Sequence, residues 1–139
     1  LQRKLPGWKM AKVMPQIIEY HNKNKFPDHP NLIRGDWNGD GRRDYAALIH
    51  YGREKSNSGE SLLSYFVVAF IKRTRGYSYY KLEGGDYIQK MKKGERGYDY
   101  NRDRNFIYKN DAIFSGIWEK AGESYVWQNG KFRSITISD

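Results

Sequence analysis

The sequence predicts an α+β fold: an N-terminal helix packed on a twisted, mainly antiparallel sheet of about seven or eight strands connected as a meander. Three observations carry this expectation. Helical spacing of apolar residues is confined to the start of the chain, where Met14, Ile17 and Ile18 share a face with His21. From Asn31 onward the apolar pattern has period two. The alternating runs are separated by short stretches rich in Gly, Asn and Asp, which suit antiparallel neighbours better than crossovers. At 139 residues the chain has the length of one domain, 1–139, without linker, repeat or low-complexity tract.

Pro15 opens the helix, because its missing N–H would be an orphan donor at a first helical position anyway. Asn22, Asn24, Pro27 and Pro30 end it, which gives a helix over 15–22. The first long strand is expected over 45–51, followed by a polar loop, KSNSGE, over 55–60. LLSYFVVAFIK, 62–72, is the most apolar run and reads as a central strand covered on both faces. Arg75-Gly76 turns the chain into a return strand over 77–82. Further strands follow over 87–91, 105–108, 112–119, 124–128 and 131–137. Asn129-Gly130 joins the last two, since a type I′ hairpin turn needs two residues tolerant of positive φ. The helix is the one cover this reading offers the sheet. Ile17 and Ile18 are therefore expected to pack on Leu62, Phe66, Val68 and Phe70, or on the alternate set Leu63, Tyr65, Val67, Ala69 and Ile71.

Lys plus Arg number 25 against 16 Asp plus Glu, a formal charge of +9. The absence of cysteine removes disulfides, thiol nucleophiles and thiolate metal sites. No apolar run approaches the ~20 residues of a membrane-spanning helix. The chain starts at Leu1 and not at methionine, as after removal of a signal peptide or at a trimmed start. The first alternative places the protein outside the cytoplasm, periplasmic or secreted, and a monomer is expected.

One segment carries readable chemistry. In GDWNGDGRRDYAAL, 35–48, oxygen-bearing side chains fall at Asp36, Asn38, Asp40 and Asp44. Calcium takes six to eight oxygens at roughly 2.3–2.6 Å, and ligands at loop positions one, three and five converge when the backbone coils round the ion. Gly41 at position six permits that coil. Arg42 at position seven would offer its backbone carbonyl, and Asp44 at position nine would close the sphere. An EF-hand has a bidentate glutamate at position twelve and a following helix, whereas this chain has Ala47 there and a predicted strand. The loop D-x-N-x-D-G-x-x-D resembles the shorter calcium loop of the FG-GAP and VCBS-type repeat families, which runs into a β-strand. That resemblance implies Ca²⁺ on Asp36, Asn38, Asp40, Asp44 and the Arg42 carbonyl. Those families carry several copies as propeller blades; with one copy here, the propeller is not implied. The loop, the long strands after it and the terminal Y-x-W-x-N-G-K-F hairpin are also similar to small bacterial extracytoplasmic proteins. A plain Asx/Gly turn is the alternative, but it needs two such residues and not four oxygen ligands at alternate positions. A second alternation, Asp99, Asn101, Asp103 and Asn105, has Arg104 at its sixth position and reads as a hairpin turn.

The other chemistry-bearing residues lack a pattern. His21, His29 and His50 have no ligand spacing. Ser56, Ser58 and Ser61 sit in no G-x-S-x-G context, and the pairs Glu54/Glu60 and Glu119/Glu123 have no reason to face a substrate. No catalytic residue is nominated. The basic surplus is densest at Lys72, Arg73 and Arg75 and at Lys90, Lys92 and Lys93, with Tyr77, Tyr79 and Tyr80 between them. These six basic residues are expected to contact an acidic protein or anionic polymer, with the metal loop lying outside the contact. The resulting expectation is a non-enzymatic extracytoplasmic module with structural Ca²⁺, an inhibitor or immunity-type protein included. Two readings stand beside it: a basic nucleic-acid-binding domain, although without a recognisable motif, and a hydrolase with calcium at its site.

Overall fold

The computed structural model describes residues 7–53 and 62–138. In chain order these form β1 (Lys9–Met10), α1 (Pro15–Lys23), β2 (Leu32–Gly35), β3 (Asp44–Arg53), β4 (Leu62–Lys72), β5 (Tyr77–Glu83), β6 (Tyr87–Met91), β7 (Arg96–Asp99), β8 (Arg104–Ile107), β9 (Ala112–Ile117), β10 (Ala121–Gln128) and β11 (Lys131–Ser138). Every strand pairing is antiparallel. Pro15 starts the helix as expected, and Asn24 ends it with its Nδ2 donating to the Tyr20 carbonyl at 2.9 Å. Asn129 and Gly130 turn the last hairpin at φ of 54° and 79°.

The strands divide into two sheets and a separate hairpin. The first sheet runs β1-β3-β4-β5, with β2 also pairing along β3. β1 takes the stretch of β3 at Ile49 and His50, and β2 takes the stretch from Asp44 to Ala47. The second sheet runs β11-β10-β9-β6, and β7 pairs with β8 alone. Alternation along the strands sends Ala46, Leu48, Val67, Ala69 and Ile71 to one face of the first sheet, into a shared core with Ile88, Ile113 and Tyr125 of the second. The opposite face of the first sheet holds Ala47, Ile49 and Val68 under Trp8, Phe66 and Phe70.

The helix is not the cover that the period-two reading called for. Ile17 is buried but belongs to neither core cluster, and Ile18 is exposed. The ring of Tyr20 instead meets Trp118, just beyond β9, at 5.4 Å between centroids. Alternation specifies which side chains share a face but not which strands share a sheet. Once the runs split into two sheets, each supplies the other's apolar cover. The chain is therefore not one meander of seven or eight strands. The added strands, β1, β2 and β7, are short, and the chain passes between sheets at Gly84-Gly85. A Cβ on Gly84 would lie 2.9 Å from the Phe66 backbone nitrogen, so glycine permits that close passage. The predicted polar loop over 55–60, with Glu54 and Ser61 beside it, and the side chains of Leu62 and Leu63 lie outside the described residues.

Candidate metal centre

The loop between β2 and β3 is closed at its base by the pairing of Gly35 with Asp44. Its second residue anchors it. Trp37 is fully buried, its indole N–H donating to the Tyr45 carbonyl at 3.1 Å. A Cβ on Gly35 would collide with this indole, so glycine lets the ring fold back under the loop. With Trp37 in the core, the acidic residues on either side coil round a common point. Asp36 Oδ1 accepts the Gly39 N–H at 3.0 Å, and its Oδ2 accepts the Gly41 N–H at 2.8 Å. Asp40 Oδ1 accepts the Arg42 N–H at 2.9 Å, and the Asn38 amide donates to Asp40 Oδ2 at 3.4 Å. Gly41 adopts φ of +82°, the conformation its position in the pattern called for.

Asp44 is fully buried at the start of β3. Its Oδ2 accepts the Trp37 N–H at 2.9 Å and its Oδ1 accepts the Lys72 N–H at 2.8 Å. The carboxylate thus fastens the loop to the end of β4. One carboxylate oxygen from each of Asp36, Asp40 and Asp44 lies within 4.8 Å of the others. The donor set is all oxygen, the chemistry a hard cation requires. Asp36 Oδ1 accepts a second N–H, from Asp40 at 3.2 Å, whereas each of the other carboxylate oxygens accepts one donor and keeps a lone pair with which to ligate.

Burial pushes the Asp44 carboxyl above its ordinary 3.8, the nearby Asp40 and Asp36 carboxylates add to the rise, and the two backbone N–H donors oppose it. Without a cation, folding therefore favours the protonated form. The group's contribution to stability is fully present below its unfolded value and is lost as pH rises through the raised folded value. In chelator, wild type should lose urea resistance relative to Asp44→Asn as pH climbs from below 3.8 through that window. Saturating calcium should reverse the trend, because metal and proton compete for the same oxygens. A wild-type minus mutant difference that is flat with pH in chelator would contradict this.

No family model, curated protein or solved structure matches the chain.

The surroundings of the loop include residues the sequence pattern did not point to. Asp111 joins distant segments: its Oδ2 accepts the Asp36 N–H at 3.0 Å and its Oδ1 accepts the Lys93 N–H at 2.9 Å. Asn110 supports the tip, where a Cβ on Gly39 would lie 2.5 Å from its Oδ1. Both residues are some seventy positions away along the chain, and no local spacing signals them.

The basic segments lie beside the loop. Asp40 and Arg42 line an open cleft with Lys72, Arg73, Thr74 and Arg75. On the other side, Asp36 and Arg42 line a second cleft with Arg34, Arg43, Lys90 and Asp111. The loop is therefore bordered by side chains of both basic segments. The reason is the Asp44 bond to Lys72 N together with the Asp111 bridge to Lys93 N, which draw both basic turns against the loop. Arg73 is partly committed to the fold, donating to Ser78 Oγ at 3.0 Å and to the Tyr80 hydroxyl at 2.9 Å. Arg75, Lys92 and Lys93 are exposed, and Lys72 lies 5.0 Å from the centre of the Tyr77 ring. The second alternation, Asp99 to Asn105, forms the β7–β8 hairpin turn, where Asp99 Oδ1 accepts the Arg102 N–H.

Proposed function

We infer that the chain is a non-enzymatic calcium-binding module of the extracytoplasmic space, periplasmic or secreted. Ca²⁺ on Asp36, Asn38, Asp40, Asp44 and the Arg42 carbonyl has a structural role. The basic surface around the loop binds an acidic protein or an anionic polymer, and an inhibitor or immunity-type role belongs within this reading.

The convergence of three carboxylates to within 4.8 Å carries the metal half. Charges that close repel, and a divalent cation between them turns the repulsion into attraction. The resemblance of D-x-N-x-D-G-x-x-D to the FG-GAP and VCBS-type loops supports the same ligand set. Extracellular modules of this kind bind calcium at ~10⁻⁴–10⁻³ M, which suits a compartment rich in the ion. The net charge of +9, with Arg42, Arg75 and Lys90 flanking the loop, supports an anionic partner.

Calorimetric titration of the full chain with CaCl₂ should give one site per chain, absent in Asp40→Ala and far weaker for Mg²⁺. Polyglutamate and heparin serve as partner probes. Their association should slow as salt rises, because screening shortens electrostatic reach to about 8 Å at physiological ionic strength, and should slow again in the Lys92→Glu/Lys93→Glu double variant. A chain that takes up no calcium loses the metal half. Polyanion binding indifferent to salt and to these lysines loses the other half, and a preference for RNA or DNA of equal charge would make nucleic acid the partner.

A further inference from the structure

The β7–β8 hairpin lies over the outer face of the second sheet without closing on it, and between them is a cavity of about 250 Å³. We propose that this cavity binds a small amphipathic anion: an aromatic or branched apolar body carrying one carboxylate, sulfonate or phosphate group. The inference goes beyond the calcium reading and stands whether or not the loop takes up metal.

The floor is apolar. Ser124 pairs with Ile135 and Val126 pairs with Arg133, so Val126 and Ile135 stand on the face turned away from the shared core. Phe106 and Tyr108 supply a wall of two rings with centroids 4.8 Å apart. Ile107 lines the same space and is 55% exposed, an isoleucine left in water beside an apolar cleft.

The hairpin is held in place at several points. The Tyr100 N–H donates to the Thr136 carbonyl at 2.9 Å, and the Asn101 amide donates to Thr136 Oγ1 at 3.2 Å. At the other end the Tyr108 hydroxyl and Ser124 Oγ are 2.7 Å apart in a fully buried pair. These tethers keep the hairpin from collapsing onto Val126 and Ile135, so the space is built into the fold.

The rim sets the charge of the occupant. Arg104, Lys109 and Arg133 line the cavity, and among the described residues none of the three makes an ion pair. Two carboxylates and a fourth cation, Arg102, also line it, so the lining keeps a net positive charge. Asp99 holds the Arg102 N–H and lies 3.9 Å from its Nε, while both oxygens of Asp111 take backbone N–H groups. Arg133 donates to Gln128 Oε1 at 3.0 Å, which leaves the rest of its fork of donors for a ligand. Four cations against two carboxylates, round a partly enclosed site with an apolar floor, favour a ligand with an anionic head and an apolar body.

The test uses naphthalene-2-sulfonate as the probe, with 2-(hydroxymethyl)naphthalene as its neutral counterpart and sulfate as a bare anion. Amide NMR titration of the full chain should place the sulfonate's shifts at Phe106, Lys109, Val126 and Trp127. Its affinity should exceed that of the neutral compound and of sulfate by at least about tenfold, the equivalent of 1.4 kcal/mol. Arg104→Glu with Lys109→Glu, both exposed positions, should weaken binding by at least that factor without moving the melting temperature. Val126→Phe, which fills the floor, should abolish binding while leaving the amide spectrum otherwise folded. Equal binding of the neutral compound or of sulfate would overturn the proposal. So would shifts mapping elsewhere, no binding, or full binding by both variants.

Discussion

Asp44→Ala should cost the calcium-free protein roughly 3 kcal/mol, because truncation leaves the Trp37 and Lys72 N–H groups without their acceptor. Hydrogen bonds to a charged acceptor contribute about 1.5–3 kcal/mol each, and the relief of a desolvated carboxylate beside Asp36 and Asp40 offsets part of the loss. The loss is a large share of the ~5–15 kcal/mol that holds a typical domain together. Asp44→Asn should lose less, since its amide oxygen still accepts one of the two N–H groups. The measurement is urea unfolding in chelator. A mutant within about 0.5 kcal/mol of wild type, the range of an ordinary surface change, would show that the staple contributes nothing.

Calcium should produce the opposite change. At 100 times its dissociation constant it should add about 2.7 kcal/mol by mass action, which for a domain of this size raises the melting temperature by roughly 10 °C. Asp40→Ala should erase that increment and leave the chelated protein close to wild type. Asp40 is exposed, and the bonds it loses, from the Arg42 N–H and the Asn38 amide, are offset by relief of its repulsion from Asp36 and Asp44. Asp40→Ala and Asp44→Ala thus separate a proposed ligand from a proposed ligand that is also a structural anchor. Identical melting in calcium and in chelator would remove the ion from the account of this loop.

The features legible in the sequence are those decided by neighbours along the chain. Pro15 sets the start of α1, Asn129-Gly130 sets the β10–β11 turn, and Gly41 sets the coil that brings the aspartates together. Each depends on the allowed φ of one or two residues. The division into two sheets depends on pairings between distant segments that alternation does not encode. Val67 and Leu48 read equally well as a face under a helix or a face under Ile88 and Ile113. The two-residue β1 is too short to leave a periodic trace. In the candidate site, Asp36, Asn38, Asp40 and Asp44 were visible by spacing. Asp111 and Asn110 were not, because an aspartate before a strand looks the same whether it holds a loop 75 residues away or faces solvent.

The position of β4 bears on how the chain avoids self-association. Phe66 to Ile71 is six residues without charge, proline or glycine, the composition of a strand that stacks on copies of itself in fibrils. In the folded chain it is hydrogen-bonded on one side to β3 and on the other to β5, so it presents no free backbone. β5 takes the edge in its place, and among the described residues its outer side is unpaired. Lys81 and Glu83 put charge on that edge strand, a common guard against strand-to-strand addition. The guard depends on the β4–β5 turn, where the Arg73 N–H donates to the Gly76 carbonyl and the Arg73 guanidinium reaches across to Ser78 and Tyr80. The basic turn beside the aspartate loop therefore also helps to keep this apolar stretch paired on both sides.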